Sequence, residues 1–288
     1  MPEHQEPDST AGGENICGIV KVMTGALPGI RPMLATLGAL PEPPGWGYEF
    51  KWDGVRAVVY VDGGQVHAFS RNDRDVVAGY PELAALGKRF PRRRVVLDGE
   101  IVALDAQGRP SFSLLQQRMH VRSPAAELVG RIPVRLYVFD LLHLGTDSLL
   151  DLPYTRRRDR LAGLALDDGV VETPPWFADG AGADLMGEAA ERGLEGVIAK
   201  RLDSRYRPGV RSPDWVRAPL NSTTEVVIGG WKPGAGRRAG MIGALVLGKY
   251  DDAGKLVFVG GARPRSTSRY PGRTPATSNG SRPASSAR

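Results

Sequence analysis

The string Glu49-Phe50-Lys51-Trp52-Asp53-Gly54-Val55-Arg56 sets a lysine between two acids and ahead of an arginine. A lysine amine is a nucleophile only after losing its proton, which desolvation or a neighbouring cation promotes. In a strand, Glu49 and Lys51 share a face; Asp53-Gly54 turns the chain and Arg56 opens the next strand. The plain alternative is a surface hairpin with ordinary ion pairs. Ser70-Arg71-Asn72 ends a strand with a guanidinium suited to phosphate, or simply a solvated loop arginine. Leu97-Asp98-Gly99-Glu100-Ile101-Val102 puts Asp98 and Glu100 on one strand face beside Val96 and Val102. Buried acids need cations or hydrogen bonds. A hard ion such as Mg²⁺ beside a phosphate suits them, and an internal arginine would serve Asp98 equally. Tyr137 and Phe139, on one face of another strand, could stack on a base or pack in the core. In Glu195-Gly196-Val197-Ile198-Ala199-Lys200, residues five apart face opposite ways along a strand. Joint action of Glu195 and Lys200 therefore needs Glu195 in a turn, which Gly196 permits; Lys200 could then meet a phosphate.

The elements that must hold these groups are mostly strands. Aromatic and β-branched runs predict strands over 48–51, 55–61, 65–70, 95–104 and 134–142, with a hairpin turn at Asp62-Gly63-Gly64. Shorter strands are expected over 197–201 and 215–217. A helix is expected from Ser111 or Ser113 to about Met119, and another from a Thr155 cap to Leu164. A third runs over 184–192, with Gly193 just past its end. A seam falls near 219–224. Beyond it, segments 225–231, 242–250 and 256–259 form a separate all-β series that resembles the start of a small barrel.

Composition bounds the rest. The 288 residues carry 38 Lys+Arg against 32 Asp+Glu. Residues 262–288 hold six arginines and no acid, so the whole excess of +6 lies there. Of those 27 residues, 21 are Arg, Pro, Gly, Ser or Thr, a composition expected to be disordered. The single cysteine, Cys17, excludes an internal disulfide and an all-cysteine zinc site and fits a reducing, cytoplasmic setting. No apolar run is long enough for a membrane span. Residues 1–27 read as a flexible leader without the basic and apolar regions of a secretory signal.

Taken in order, Lys-x-Asp-Gly-x-Arg, Ser-Arg, Asp-Gly-Glu, Tyr-Val-Phe-Asp and Glu-Gly-Val-Ile-Ala-Lys resemble the signature blocks of the covalent nucleotidyltransferases. Within that superfamily the chain is similar to the ATP-dependent DNA ligases, above all the compact bacterial ligases and the ligase domain of bacterial end-joining enzymes. The strings 203–209, 211–216 and 226–231 carry the subgroup likeness and argue against an RNA ligase or a capping guanylyltransferase. The resemblance spans about Pro28 to Gly261.

It implies an α+β fold. An adenylation domain of antiparallel sheets with flanking helices (28–220) precedes an OB-fold barrel, here incomplete (221–261), and then the tail (262–288). It implies that Lys51 attacks the α-phosphate of ATP to form a lysyl-AMP phosphoramidate. AMP then passes to a DNA 5′-phosphate, and a 3′-hydroxyl displaces it to seal a nick. By motif match, Arg56 and Arg71 hold ribose or phosphates, and Glu100 and Glu195 serve metal (Mg²⁺ or Mn²⁺) or ribose. Phe139 stacks on adenine, Glu49 lies near the base, and Lys200 contacts the α-phosphate. The implied partners are nicked double-stranded DNA and end-joining repair proteins, in a bacterial, nucleoid-associated setting.

Two departures stand out. After Trp215-Val216 the subgroup has two lysines separated by one residue. Here Arg217 keeps the first charge, but Pro219 replaces the second lysine, which contacts the α-phosphate in the family. The barrel pattern also stops after Gly261, before the family's basic final motif, as a reading-frame change or a decayed copy would produce. Both departures keep open a catalytically defective nucleotide- or DNA-binding remnant.

Overall fold

The structure, a computed structural model, describes residues 27, 29–178, 180–220, 225–251 and 254–262. The expected leader and tail therefore lie outside the described residues, except Leu27 and Ala262. Leu27 is buried, and Ala262 closes a strand. The chain divides into two compact units, with the boundary between Leu220 and Asn221.

The first unit is built on two sheets. One has the order β1 (Leu34–Leu37), β11 (Arg211–Pro219), β10 (Gly196–Arg201), β2 (Trp46–Phe50), β9 (Phe177–Ala178). It is antiparallel except where β1 runs parallel to β11. The other has the order β4 (Gln65–Ser70), β3 (Val55–Asp62), β5 (Val95–Ala103), β6 (Val134–Leu144), β7 (Asp147–Ser148), with β8 (Val171–Glu172) also paired to β6. Short helices α1 (Ala84–Arg89), α2 (Phe112–Gln116), α3 (Ala126–Arg131) and α4 (Tyr154–Ala162) follow in the chain, then α5 (Gly182–Glu191).

Alternation along the strands sorts the core into layers. Ala57, Val59 and Val61 of β3 pack with Leu83, Leu86, Leu115 and Leu161, covering one face of the second sheet with α1, α2 and α4. Val58 and Tyr60 face the other way, against Trp215 of β11, Tyr206 and Met33. The two sheets thus face each other there. Tyr48, Phe50 and Val197 pack against Leu185 and Ala189 of α5.

The strands follow the pattern read from sequence, with corrections. The segment 215–217 belongs to a nine-residue strand, because β11 is supported on both sides by β1 and β10. Thr155 is not a cap: α4 starts at Tyr154 behind Pro153, and the Thr155 N–H donates to Leu202 O at 3.2 Å. The helix after Ser111 stops at Gln116, and no side-chain cap bond forms there; Ser111 Oγ lies 3.1 Å from Ser113 Oγ instead. Gly193 does take the left-handed conformation after α5, with φ of 67°.

One buried pair ties these layers together. Arg157 of α4 and Asp140 of β6 are both fully buried and share two hydrogen bonds, of 2.7 and 3.0 Å. The remaining Arg157 nitrogen donates to Leu152 O and Ser204 O.

The second unit, in its described residues, is an antiparallel meander of β12 (Val227–Pro233), β13 (Ile242–Tyr250) and β14 (Leu256–Ala262). Ile228, Trp231, Phe258 and Val259 are exposed on it.

Asp140→Ala leaves Arg157 as an uncompensated buried charge, which costs about 3–5 kcal/mol. Denaturant unfolding should show that loss, and the apolar double replacement Asp140→Leu with Arg157→Met should recover most of it. An equally damaged double variant would contradict this account of the pair.

Candidate active site

The segment between Phe50 and Val55 leaves the first sheet at the end of β2 and enters the second at the start of β3. It is not a hairpin, because β2 and β3 pair in different sheets. The Lys51 N–H donates to Gly196 O at 2.8 Å, which fastens the crossing to the start of β10. Gly54 lets the crossing lie directly on β5, since a Cβ there would come within 2.2 Å of Ile101 O.

A cavity of about 350 Å³ opens beside this crossing. Glu49, Lys51, Arg56, Arg71, Glu100, Phe139, Lys200 and Arg217 all line it. Glu195 is not in the lining, but its carboxylate is in ion-pair contact with the Lys51 amine. It sits in the connection between α5 and β10, off the strand that carries Lys200. Gly196 allows that connection, with φ of 135° and Ala218 O 2.3 Å from where a Cβ would stand.

Two of the lining cations, Arg56 and Lys200, stand on buried acids. Arg56 Nε and Nη2 each donate to Asp98 at 2.6 Å, and the guanidinium lies 4.4 Å from the Phe139 ring centre. Tyr206 donates its hydroxyl to the same carboxylate at 2.6 Å and accepts the Met33 N–H. Asp98 is therefore partnered by an internal arginine. Burial opposes the charge on Arg56, but Asp98 outweighs it, so the guanidinium is held protonated above its ordinary range.

Across the cavity, Lys200 Nζ lies 2.6 Å from Glu49 Oε2, with the rings of Trp215, Phe139 and Tyr154 within 5.0 Å. Burial lowers the Lys200 pKa, and Glu49 opposes that. The amine is thus engaged deep among aromatic rings rather than standing free. Tyr137 parts from Phe139: its ring sits edge-on to Trp52 at 4.7 Å, and only Phe139 lines the cavity.

Lys51 is held below its ordinary pKa, first by burial and with help from Arg217, against the pull of Glu100 and Asp53. Glu100 is pushed up to about 8, chiefly by burial, with Asp98 and Asp53 adding repulsion. Arg56 and Lys51 oppose that rise without cancelling it; a divalent cation would favour the charged carboxylate further, so Glu100 and Glu195 fit the expected metal. Among the described residues, no group of three or more His, Cys, Asp or Glu is gathered for a metal. Protein ligands alone would thus be few, as for an ion held largely by phosphates and water.

Sequence reasoning missed Trp52, Ile198 and Arg211 in the lining. The full length of β11 was the absent signal: Arg211 opens the same nine-residue strand that carries Trp215 and Arg217, and all three line the cavity. Pro219 closes the strand, paired with Gly196.

A sequence model of the ATP dependent DNA ligase domain matches residues 32–218. The multifunctional non-homologous end joining protein LigD of Mycobacterium bovis is 43% identical over 234 residues, which cover 80% of this chain and 29% of that protein. The chain thus spans less than a third of that relative's length. DNA ligase C2 of Mycolicibacterium smegmatis is 37% identical over 255 residues, covering 84% of this chain and 69% of that protein. Among solved structures, a mycobacterial DNA ligase D complexed with ATP and MES aligns with a TM-score of 0.61 and 39% identity. It covers 83% of this chain and 73% of that one. The ligase domain of M. tuberculosis LigD gives 0.59 at the same identity, over 82% and 73%.

Glu100 also makes stability depend on pH. Its folded pKa of about 8 lies above the ordinary 4.5, so its contribution is full below 4.5 and is lost as pH rises through 8. In metal-free buffer, the parent should lose stability relative to Glu100→Gln across that window. A constant difference between the two would contradict the burial ascribed to this acid.

Proposed function

Given that the chain belongs to the ATP-dependent DNA ligase family, we propose that it forms a lysyl-AMP intermediate on Lys51 and passes AMP to nicked duplex DNA. The carrying observation is the half-buried Lys51 amine, its pKa lowered, at the junction of two sheets and in a cavity lined by Arg56, Arg71 and Arg217.

In this reading, Lys51 Nζ attacks the α-phosphorus of ATP. The N–P bond forms, the bond to pyrophosphate breaks, and the amine gives up its proton. Burial and Arg217 ease the loss of that proton. Arg56 uses Nε and Nη2 on Asp98 and has Nη1 for ribose or phosphate. Arg71 takes the outer phosphates. The purine lies on Phe139, with Glu49 and Lys200 at its edge. Here Lys200, engaged by Glu49, is read with the base instead of at the α-phosphate that the resemblance implies, and Arg217 takes the α-phosphate contact. Mg²⁺ or Mn²⁺ on Glu100 and Glu195 would neutralise charge on the phosphates. AMP then moves to a 5′-phosphate, and a 3′-hydroxyl displaces it.

Residues 28–220 would be the adenylation domain and 221–261 the opening of an OB-fold. The end-joining relatives suggest double-strand break repair with end-joining proteins in the bacterial cytoplasm, at the nucleoid. No helix among the described residues is long and apolar enough to cross a membrane.

Pro219 favours a second reading, a remnant that binds nucleotide without reacting. It pairs with Gly196 at the end of β11, where the resemblance has a cation, and it offers neither a charge nor an N–H.

Incubation with α-labelled ATP and Mg²⁺ separates the two. The first reading expects label that survives denaturation and disappears in Lys51→Ala. It also expects Pro219→Lys to raise the labelling rate by about tenfold or more, since one added charged contact is worth roughly 1.5–3 kcal/mol. An unlabelled parent that still binds ATP leaves the remnant reading standing. Sealing of a nicked duplex by labelled protein would then test the later steps.

A further inference from the structure

Glu49 is the one acid in the cavity wall whose two oxygens are both taken by side chains from other elements. Tyr154, at the start of α4, donates its hydroxyl to Glu49 Oε1 at 2.5 Å, and Lys200 of β10 lies 2.6 Å from Oε2. Tyr154 is fully buried and does not line the cavity. Its ring packs edge-on to Trp176 at 5.6 Å, which fixes the direction of the hydroxyl.

A competitor for Glu49 stands close by. Arg158, one helical turn after Tyr154, has its Nη1 3.7 Å from Glu49 Oε1, buried and without a hydrogen bond. Its Nη2 is engaged with Pro174 O at 2.5 Å. A buried guanidinium nitrogen gains from any acceptor it can reach. With the tyrosine hydroxyl removed, Oε1 has every reason to close on Arg158. That rotation draws Oε2 away from Lys200 and changes which lone pairs face the cavity.

We propose that Tyr154 is a positioning residue: its hydroxyl holds the Glu49 carboxylate against the pull of Arg158, so that Glu49 and Lys200 present a fixed edge to the purine. The proposal rests on the reading of the cavity as an ATP site. It places the effect of Tyr154 on nucleotide capture, because Lys51 lies on the crossing beyond β2 and keeps its own bond to Gly196 O.

The test compares the full-length parent, Tyr154→Phe, Glu49→Gln and the double variant. Labelling of Lys51 gives a half-saturating ATP concentration and a maximal rate for each, and calorimetric titration with ATP gives affinity independently of chemistry. Loss of a hydrogen bond to a charged group is worth about 1.5–3 kcal/mol, so Tyr154→Phe should raise the half-saturating concentration by about tenfold or more. Its maximal rate should stay within about threefold. In the Glu49→Gln background the same change should do less than about twofold. An unchanged ATP affinity in Tyr154→Phe overturns the proposal. So does an effect of equal size with and without Glu49, and so does a variant that melts far below the parent with rate and affinity lost together. A parent that binds ATP without forming adduct removes the catalytic reading but leaves the calorimetric comparison decisive. A parent that binds no ATP removes both.

Discussion

Arg56 and Lys200 reach one cavity from opposite sheets, and each is held by a carboxylate buried behind it. The rest of the site depends on this arrangement. A cation in a water-poor cleft is costly unless an acid lies against it. An acid that only neutralised the cation would leave it mobile. Asp98 takes two bonds from one guanidinium, and Glu49 divides its oxygens between an amine and a hydroxyl. A tyrosine hydroxyl completes each carboxylate: Tyr206 for Asp98, Tyr154 for Glu49. The positive charges are therefore fixed before any ligand arrives, which is what electrostatic catalysis of phosphoryl-type transfer requires.

The crossing between the sheets brings Lys51 into that arrangement. Lys51 leaves the first sheet where β10 begins and where β11 brings Arg217. Its amine is therefore half-buried, faces Glu195, and feels a neighbouring guanidinium. Neither sheet alone could do this. Glu49, Lys200 and Arg217 belong to one, while Arg56, Glu100 and Phe139 belong to the other.

Much of this was legible in the sequence, because strand periodicity and short motifs are local. The order of Lys51, Arg71, Glu100, Phe139 and Lys200 gave the lining, and the need to seat Glu195 off the strand was clear from its spacing to Lys200. What was not legible is long-range. Nothing in Val210-Arg211-Ser212 says that β1 will lie parallel to it, so β11 reads as three residues and Arg211 is lost from the site. Tyr154 and Arg158 read as an ordinary helix start. Their meaning depends on Glu49, 105 residues away from Tyr154. Net charge misleads in the other direction: the excess lies in residues 262–288, while Lys51, Arg56 and Lys200 of the cavity are each paired with an acid.

The central claim is that this two-sheet cavity receives ATP in one orientation, base on Phe139 and α-phosphate at Lys51. A crystal structure of the chain soaked with ATP in metal-free buffer tests it most directly. The account predicts the purine between Phe139 and the Glu49–Lys200 pair, the α-phosphate beside the Lys51 amine, and the Arg56–Asp98 bonds unbroken. Nucleotide bound elsewhere, or in the cavity with base and phosphates exchanged, would contradict it.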